Sequence, residues 1–243
     1  ARTIGVTGTK GKTTVSTLIG EMLTGWNPGS VVAGNMGISA LAALDRIVPD
    51  TPVVIELSSW QLEAMDEHGL GPTVAVLTNI HEDHLTAYDG YEDYARTKRS
   101  IGRHLGPDDV MVYNADQVDT RMVDGETRAR LLPFGIAAPD GDGAWVEGDT
   151  LRVRWEGAEH TFERPKQLSL AGPTGAANAL AAISAAIARG VPDAVIATAL
   201  TAFKGVPNRL ERVASGNGVT FVNDTSATAP VAAAATIRLL AER

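Results

Sequence analysis

Short apolar runs alternate with stretches of helical spacing along most of this 243-residue chain. The runs have the length of buried strands, and the stretches between them repeat apolar residues every three or four positions. The predicted strands are residues 3–6, 31–33, 52–57, 73–78, 110–113 and 219–222. The predicted helices are residues 15–23, 60–65, 91–105, 175–189, 193–203 and 230–242. This alternation predicts an α/β fold, a mainly parallel sheet with helices on both faces.

A second pattern of alternation occupies residues 144–155, where apolar and polar positions exchange around the dipeptide Gly148-Asp149. Glycine after a short alternating run, with a matching run behind it, is typical of a hairpin turn. The sequence therefore predicts a small β-hairpin region in addition to the parallel sheet.

A glycine-bearing loop joins the first predicted strand to the first predicted helix. Its residues are Gly8, Thr9, Lys10, Gly11, Lys12, Thr13 and Thr14. A strand, such a loop and a helix N-terminus together favour a P-loop-type phosphate site, because backbone N–H groups and the helix dipole attract anions. Lys12 would reach the outer phosphates, and Thr13 would offer its hydroxyl to Mg²⁺. The strict Walker spacing places the first glycine at Val6, so a chance Gly-Lys-Thr loop is the alternative.

Charge and composition narrow the classes of partner. The net charge of −8 argues against a nucleic-acid surface, and no apolar run approaches membrane-spanning length. The chain has no cysteine, which excludes disulfides and thiolate metal sites. We therefore expect a cytoplasmic protein with no nucleic-acid partner and no membrane partner.

Polar side chains stand at or just past the ends of several predicted strands. They are Glu56, Asn79 with His84, and Asp224. Ligands of open α/β sheets collect at this edge. Glu56 interrupts an apolar strand and either caps a neighbouring helix or binds the metal that phosphates require. His84 belongs either to a solvated charged turn or to a metal or phosphate site.

Lys98 falls on the apolar stripe of the predicted helix 91–105, four residues after Tyr94 and three before Ile101. One interpretation is a lysine whose aliphatic stem covers apolar surface while its amine reaches water. The other is an amine drawn to an active-site charge, or chemically modified. The pattern alone does not choose between them.

Several separate motifs, in one order, resemble those of the Mur ligases, enzymes that add amino acids to the peptidoglycan precursor. The matching segments are residues 5–14, 56–63, 78–85, 94–98, 205–211 and 221–228. The segment Glu56-Leu57-Ser58-Ser59-Trp60-Gln61-Leu62-Glu63 is similar to that of the D-glutamate-adding member. The resemblance extends from residue 4 to about residue 240.

The resemblance implies a role for each candidate residue. Lys12 and Thr13 would bind the phosphates of ATP and Mg²⁺, and Asn35 and Ser58 would face the substrate. Glu56, His84 and Lys98 would hold two Mg²⁺ ions, Lys98 as a carbamate whose oxygens suit this hard cation. The nucleotide would also contact Asn178, Arg209 and Asp224.

The resemblance also implies a domain plan and a reaction. Residues 1–223 would form the central ATP-binding domain and residues 224–243 the start of the C-terminal amino-acid-binding domain. The N-terminal UDP-binding domain would be absent. The reaction would be ATP-dependent amide ligation of D-glutamate to UDP-N-acetylmuramoyl-L-alanine through an acyl phosphate. We expect a monomer that is inactive on its own.

The sequence leaves two rival functions open. One is another amide ligase of the superfamily, such as a folylpolyglutamate or cyanophycin synthetase. The other is a nucleotide-binding module that does not ligate. Thr174, Gly175 and Ser226 favour the second, because they stand where the family pattern has His, Asn and Lys. Intact Lys12 and Glu56 oppose it.

Overall fold

The computed structural model describes residues 2–83, 86–227 and 230–241. The strands within these residues are β1 (Arg2–Thr7), β2 (Val31–Gly34), β3 (Pro52–Glu56), β4 (Val74–Leu77), β5 (Val110–Asn114), β6 (Arg130–Gly135), β7 (Gly143–Glu147), β8 (Thr150–Trp155), β9 (Ala158–Glu163), β10 (Glu211–Gly216) and β11 (Val219–Asn223). The α-helices are α1 (Lys12–Trp26), α2 (Ser59–Glu67), α3 (Tyr91–Arg99), α4 (Val118–Arg121), α5 (Gly172–Ala188), α6 (Asp193–Ala202) and α7 (Pro230–Ala241).

Nine of the described strands form one sheet in the order β2-β3-β1-β4-β5-β6-β7-β8-β9. The strands from β2 to β7 run parallel, and β8 and β9 extend the sheet in antiparallel fashion. The interior strand β1 pairs with β3 on one side and β4 on the other. The carboxyl end of β1, where the glycine-bearing loop begins, therefore lies between the carboxyl ends of β3 and β4.

Both faces of the sheet are covered, as the sequence predicts. Alternate residues of each strand point to opposite faces. Val74 and Val76 join the apolar cluster that contains α1, α5 and α6, whereas Ala75 and Leu77 join the cluster under α2 and α3. Burial on both faces explains why these strands read as continuous apolar runs.

Two predicted elements differ in extent from those observed. The predicted helix 91–105 ends as α3 at Arg99, and a 3₁₀ turn, Ser100–Gly102, follows it. A Cβ atom on Gly102 would lie 3.3 Å from Met111 Sδ, so the chain approaches the sheet closely where the helix stops. The predicted hairpin 144–155 is present as β7 and β8, but it extends the main sheet and continues into β9.

The strand predicted at residues 219–222 is β11, but it lies outside the main sheet. Among the described strands it pairs with β10 alone, in a separate two-stranded antiparallel sheet. The expectation that Asp224 stands at the carboxyl edge of the parallel sheet is therefore wrong. No helix among the residues described above combines the length and apolar character needed to span a membrane.

Candidate functional site

The loop between β1 and α1 is shaped by two glycines with positive φ. Gly8 has φ 142° and Gly11 has φ 84°, the second being the left-handed residue just before α1. A Cβ atom would lie 2.0 Å from Thr78 Oγ1 at Gly8 and 2.4 Å from Asn178 Oδ1 at Gly11. Both conformation and space therefore require glycine, which brings the loop backbone against β4 and α5.

Gly11→Ala should weaken nucleotide binding at least about tenfold, because the left-handed conformation alone costs an L-residue roughly 1–2 kcal/mol. The contact with Asn178 adds to this cost by pushing the loop away from α5. Gly69→Ala is the matched control, since Gly69 has φ 65° and open space around it. Calorimetric titration of each variant with Mg-ATP provides the measurement. Equal affinities of the two variants would contradict the packing argument.

Asn79 holds the glycine-bearing loop from the end of the neighbouring strand. Its Oδ1 accepts from the Lys10 N–H at 2.8 Å, and its Nδ2 donates to the Lys10 carbonyl at 2.9 Å. Thr78 Oγ1 donates to that carbonyl at 2.7 Å, and the Thr9 N–H donates to the Asn79 carbonyl at 2.9 Å. The sequence places Asn79 at a strand end but gives no sign of its partner, 69 residues earlier.

The segment after Asn79 is fastened to the loop by two further contacts. Thr9 Oγ1 lies 3.0 Å from the His81 N–H, which donates to it, and 3.1 Å from the Tyr94 hydroxyl. Lys10 Nζ forms an ion pair with Asp83 at 3.3 Å. The loop therefore has side-chain contacts with α3 as well as with the residues that follow β4.

Lys12 points back into the loop that precedes it. Its Nζ donates to the carbonyls of Gly8 at 2.9 Å and Thr9 at 3.0 Å. Burial lowers the pKa of Lys12, and the cations Arg209 and Lys10 add to this shift, whereas Glu56 acts against it. Lys12, Arg209 and Lys10 therefore place several positive charges close together at the sheet edge, as a site that binds a chain of phosphate groups requires.

Glu56 ends β3 and is only 2% exposed. Its Oε1 accepts from Asn35 Nδ2 at 3.4 Å, and its Oε2 has no hydrogen-bond partner within the described part of the chain. A buried carboxylate oxygen without a donor is costly, and a cation would satisfy it. Asn35 is itself fixed, because its N–H donates to the Glu56 carbonyl at 2.9 Å.

Lys98 is buried on α3, 2% exposed, which decides between the two interpretations that its place on the apolar stripe left open. Its Nζ lies 3.3 Å from Thr7 Oγ1 and 5.5 Å from the centroid of the Tyr94 ring. Burial, and secondarily the charge of Lys12, lowers the pKa of Lys98 to about 7. A substantial fraction of the amine is therefore neutral near pH 7. The interpretation of Lys98 as a surface lysine with an extended stem is wrong.

The structure brings two of the later candidate residues to the loop. Arg209 Nη2 lies 3.5 Å from Thr13 Oγ1, and Asn178 faces Gly11. Asp224 is used locally instead: it accepts from the Leu210 N–H at 3.0 Å and from Thr236 Oγ1 at 2.5 Å.

Ser58 caps α2, and His84 lies outside the described residues. The Ser58 hydroxyl accepts from the Gln61 N–H at 3.2 Å and donates to Gln61 Oε1 at 3.0 Å, so the hydroxyl stabilises the helix start.

The structure explains why residue 175 is a glycine, where the family pattern has Asn. A Cβ atom there would lie 2.1 Å from the backbone carbon of Leu170, so no side chain fits without a shift of that backbone. Asn178, three residues further along α5, remains against the loop.

The described donors fit a metal only in part. No group of three or more His, Cys, Asp and Glu side chains able to hold a metal occurs within residues 2–83, 86–227 and 230–241. Glu56 nevertheless offers one unpartnered oxygen, and Thr13 offers a hydroxyl near Arg209. These oxygen donors suit Mg²⁺, which takes few protein ligands and completes its shell with phosphates and water.

A parallel strand, a tight loop with an inward lysine and a following helix define a phosphate-binding α/β domain. Residues 6–186 match the Mur ligase middle domain, and the chain belongs to this family. The family resemblance carried by the sequence motifs is thereby confirmed.

Curated relatives are named UDP-N-acetylmuramoylalanine–D-glutamate ligase. The protein of Roseiflexus sp. is 42% identical over 97% of this chain and 52% of its own length. The protein of Pelotomaculum thermopropionicum is 37% identical over 95% of this chain and 50% of its own length. The chain thus spans about half the length of the curated relatives it matches.

Solved structures of the same family share the fold. MurF from Acinetobacter baumannii superposes with a TM-score of 0.77 at 21% identity, over 100% of this chain and 54% of that one. MurF from Thermotoga maritima, in complex with ADP, gives a TM-score of 0.69 at 22% identity, over 99% of this chain and 57% of that one.

Proposed function

We propose that this chain is the ATP-binding part of a ligase that joins D-glutamate to UDP-N-acetylmuramoyl-L-alanine. The observation that carries the proposal is the group of side chains around the loop, in which half-buried Lys12 and buried Glu56 and Lys98 converge near the carboxyl ends of β1 and β3. Relatives named for this reaction, at 36–42% identity over most of the chain, support the choice of substrates.

The domain plan belongs to the same proposal. Residues from β1 to α6 would form the central domain, and a second domain would bring the amino acid. The separate pairing of β10 with β11 supports a boundary before β10 rather than at residue 223. Exposed Val213, Val219 and Phe221 on this pair support a further partner surface there.

The chain's residues would act mainly by positioning and by neutralising charge. A substrate carboxylate oxygen attacks the γ-phosphorus of ATP, the bond to ADP breaks, and an acyl phosphate forms. The amine of D-glutamate then attacks the carbonyl carbon, phosphate leaves, and the nitrogen loses a proton. Lys12, Arg209 and the loop N–H groups would hold the phosphates while the negatively charged carboxylate approaches the negatively charged γ-phosphate.

Mg²⁺ would add positive charge to the same edge, with Glu56, Thr13 and His84 as its protein ligands. Lys98 would contribute as a carbamate: its neutral amine forms a C–N bond to CO₂ and releases one proton. The lowered pKa of Lys98 supports this, because the neutral amine is the reactive form.

Glu56→Gln in the full-length protein should lower amino-acid-dependent phosphate release about 100-fold or more, as removal of a preorganised charge does elsewhere. The wild type should release phosphate only when UDP-N-acetylmuramoyl-L-alanine and D-glutamate are both present. Glu67→Gln, an exposed glutamate on α2, is the control. Nucleotide binding without D-glutamate-dependent release in the wild type would instead favour a module that does not ligate.

A further inference from the structure

We propose that Thr7 is a positioning residue for Lys98; this rests on the proposed function of Lys98. Thr7 is the last residue of β1, directly before Gly8, and is fully buried. Its Oγ1 donates to the Leu57 carbonyl at 2.9 Å and lies 3.3 Å from Lys98 Nζ. One hydroxyl therefore connects the glycine-bearing loop, the residue after Glu56 and the lysine of α3.

The direction of these hydrogen bonds follows from counting protons. A hydroxyl has one hydrogen and two lone pairs. Because the hydrogen of Thr7 is given to Leu57, the hydroxyl can only accept from Lys98. An N–H bond of Lys98 therefore points at Thr7, and the lone pair of a neutral amine points elsewhere. A lysine carbamate keeps one N–H, so the same acceptor serves before and after modification.

Thr7 is itself held rigidly, which a positioning residue requires. Its carbonyl accepts from the Thr78 N–H at 3.0 Å, and the Thr78 hydroxyl, whose hydrogen is given to the Lys10 carbonyl, lies 3.2 Å from it. The Leu57 N–H donates to the carbonyl of Val6 at 2.8 Å, so the acceptor of the Thr7 hydroxyl is fixed as well. The Tyr94 ring flanks the Lys98 amine, with its centroid 5.5 Å from Nζ.

Thr7→Val tests the proposal, since valine keeps the branched shape and removes only the hydroxyl. Thr73→Val is the matched control, because Thr73 Oγ1 also donates to a backbone carbonyl, that of Thr3 at 2.8 Å, at the opposite end of β1. Each variant, with uniform ¹³C and ¹⁵N labelling of lysine, is compared with the wild type in Mg-ATP and ¹³C-bicarbonate.

Two signals are measured by NMR: the Nζ resonance of Lys98 and the carbamate carbon. We expect Thr7→Val to shift the Nζ resonance and to lower the carbamate occupancy about two- to tenfold, the loss of one hydrogen bond. Thr73→Val should change neither signal. An unchanged Nζ resonance in Thr7→Val overturns the proposal. Absence of carbamate in the wild type refutes the modification of Lys98, and the Nζ resonance still decides the role of Thr7.

Discussion

Lys98→Met is expected to raise the free energy of unfolding of the chain by several kcal/mol at pH 6, and by clearly less at pH 9. The cause is the burial that lowers the pKa of Lys98 to about 7 in the folded chain. Each pH unit of such a shift corresponds to about 1.36 kcal/mol. Methionine fills a similar volume without a charge to desolvate.

The pH dependence has a definite sign. An unfolded lysine titrates near 10.5 and the folded one near 7. Between these values the unfolded state binds more protons, so the stability of the wild type rises with pH. Below pH 7 both states are protonated and the full cost of burying the charge is present. The advantage of methionine should therefore shrink by roughly 2–3 kcal/mol between pH 7 and pH 9.

Urea unfolding of both proteins at pH 6, 7.5 and 9 measures this difference. Lys204→Met is the control, because Lys204 is exposed and its replacement should give a small effect at every pH. A destabilised Lys98→Met variant, or an advantage that grows with pH, would contradict the assignment. The same variant should lose ligase activity in the full-length protein, since the proposed function requires the amine.

Asn79→Asp should weaken the binding of Mg-ATP by two orders of magnitude or more. The amide of Asn79 accepts from Lys10 and donates to it, and an aspartate can only accept. Leaving the Lys10 carbonyl with one donor fewer costs about 1–3 kcal/mol, and the new carboxylate would also repel the phosphates.

Asn114→Asp is the matched control for this variant. The Asn114 amide also makes one hydrogen bond of each kind: it accepts from the Asp116 N–H at 2.9 Å and donates to the Thr78 carbonyl at 3.1 Å. Neither of these hydrogen bonds is to the Lys10 backbone. Titration calorimetry should show that the dissociation constants of the two variants for Mg-ATP differ by at least about tenfold. Similar losses in both would mean that added negative charge, rather than the contact with Lys10, weakens binding.

Local patterns predicted the parts of the fold that have strong periodicity. The runs at β1, β3, β4 and β5 are apolar because both faces are buried. The spacing of Lys98 placed it on the apolar stripe of its helix, but only the structure shows that its amine is buried. The sequence did not predict β6, where Pro133 interrupts the apolar run, or β9, whose residues are largely polar and exposed.

The candidate site was predictable residue by residue but not contact by contact. The glycines, Lys12 and Glu56 carry local signals, whereas Asn79 with Lys10 and Arg209 with Thr13 are paired across 69 and 196 residues. Such pairs depend on the order of strands in the sheet, which periodicity does not encode. Ser58 is the opposite case, because its hydroxyl makes a local contact, the cap of the N-terminus of α2.

The place of β1 between β3 and β4 has a consequence for synthesis on the ribosome. β1 is made before both partners, which begin at Pro52 and Val74, and before the Asn79 side chain that holds the loop. A nascent chain that has emerged only to residue 70 therefore has an unpaired edge on β1 and no formed loop. Contacts this distant in sequence are slow to form and leave apolar strands exposed meanwhile. Nucleotide can thus protect the growing chain only after β4 and the turn behind it have left the ribosome.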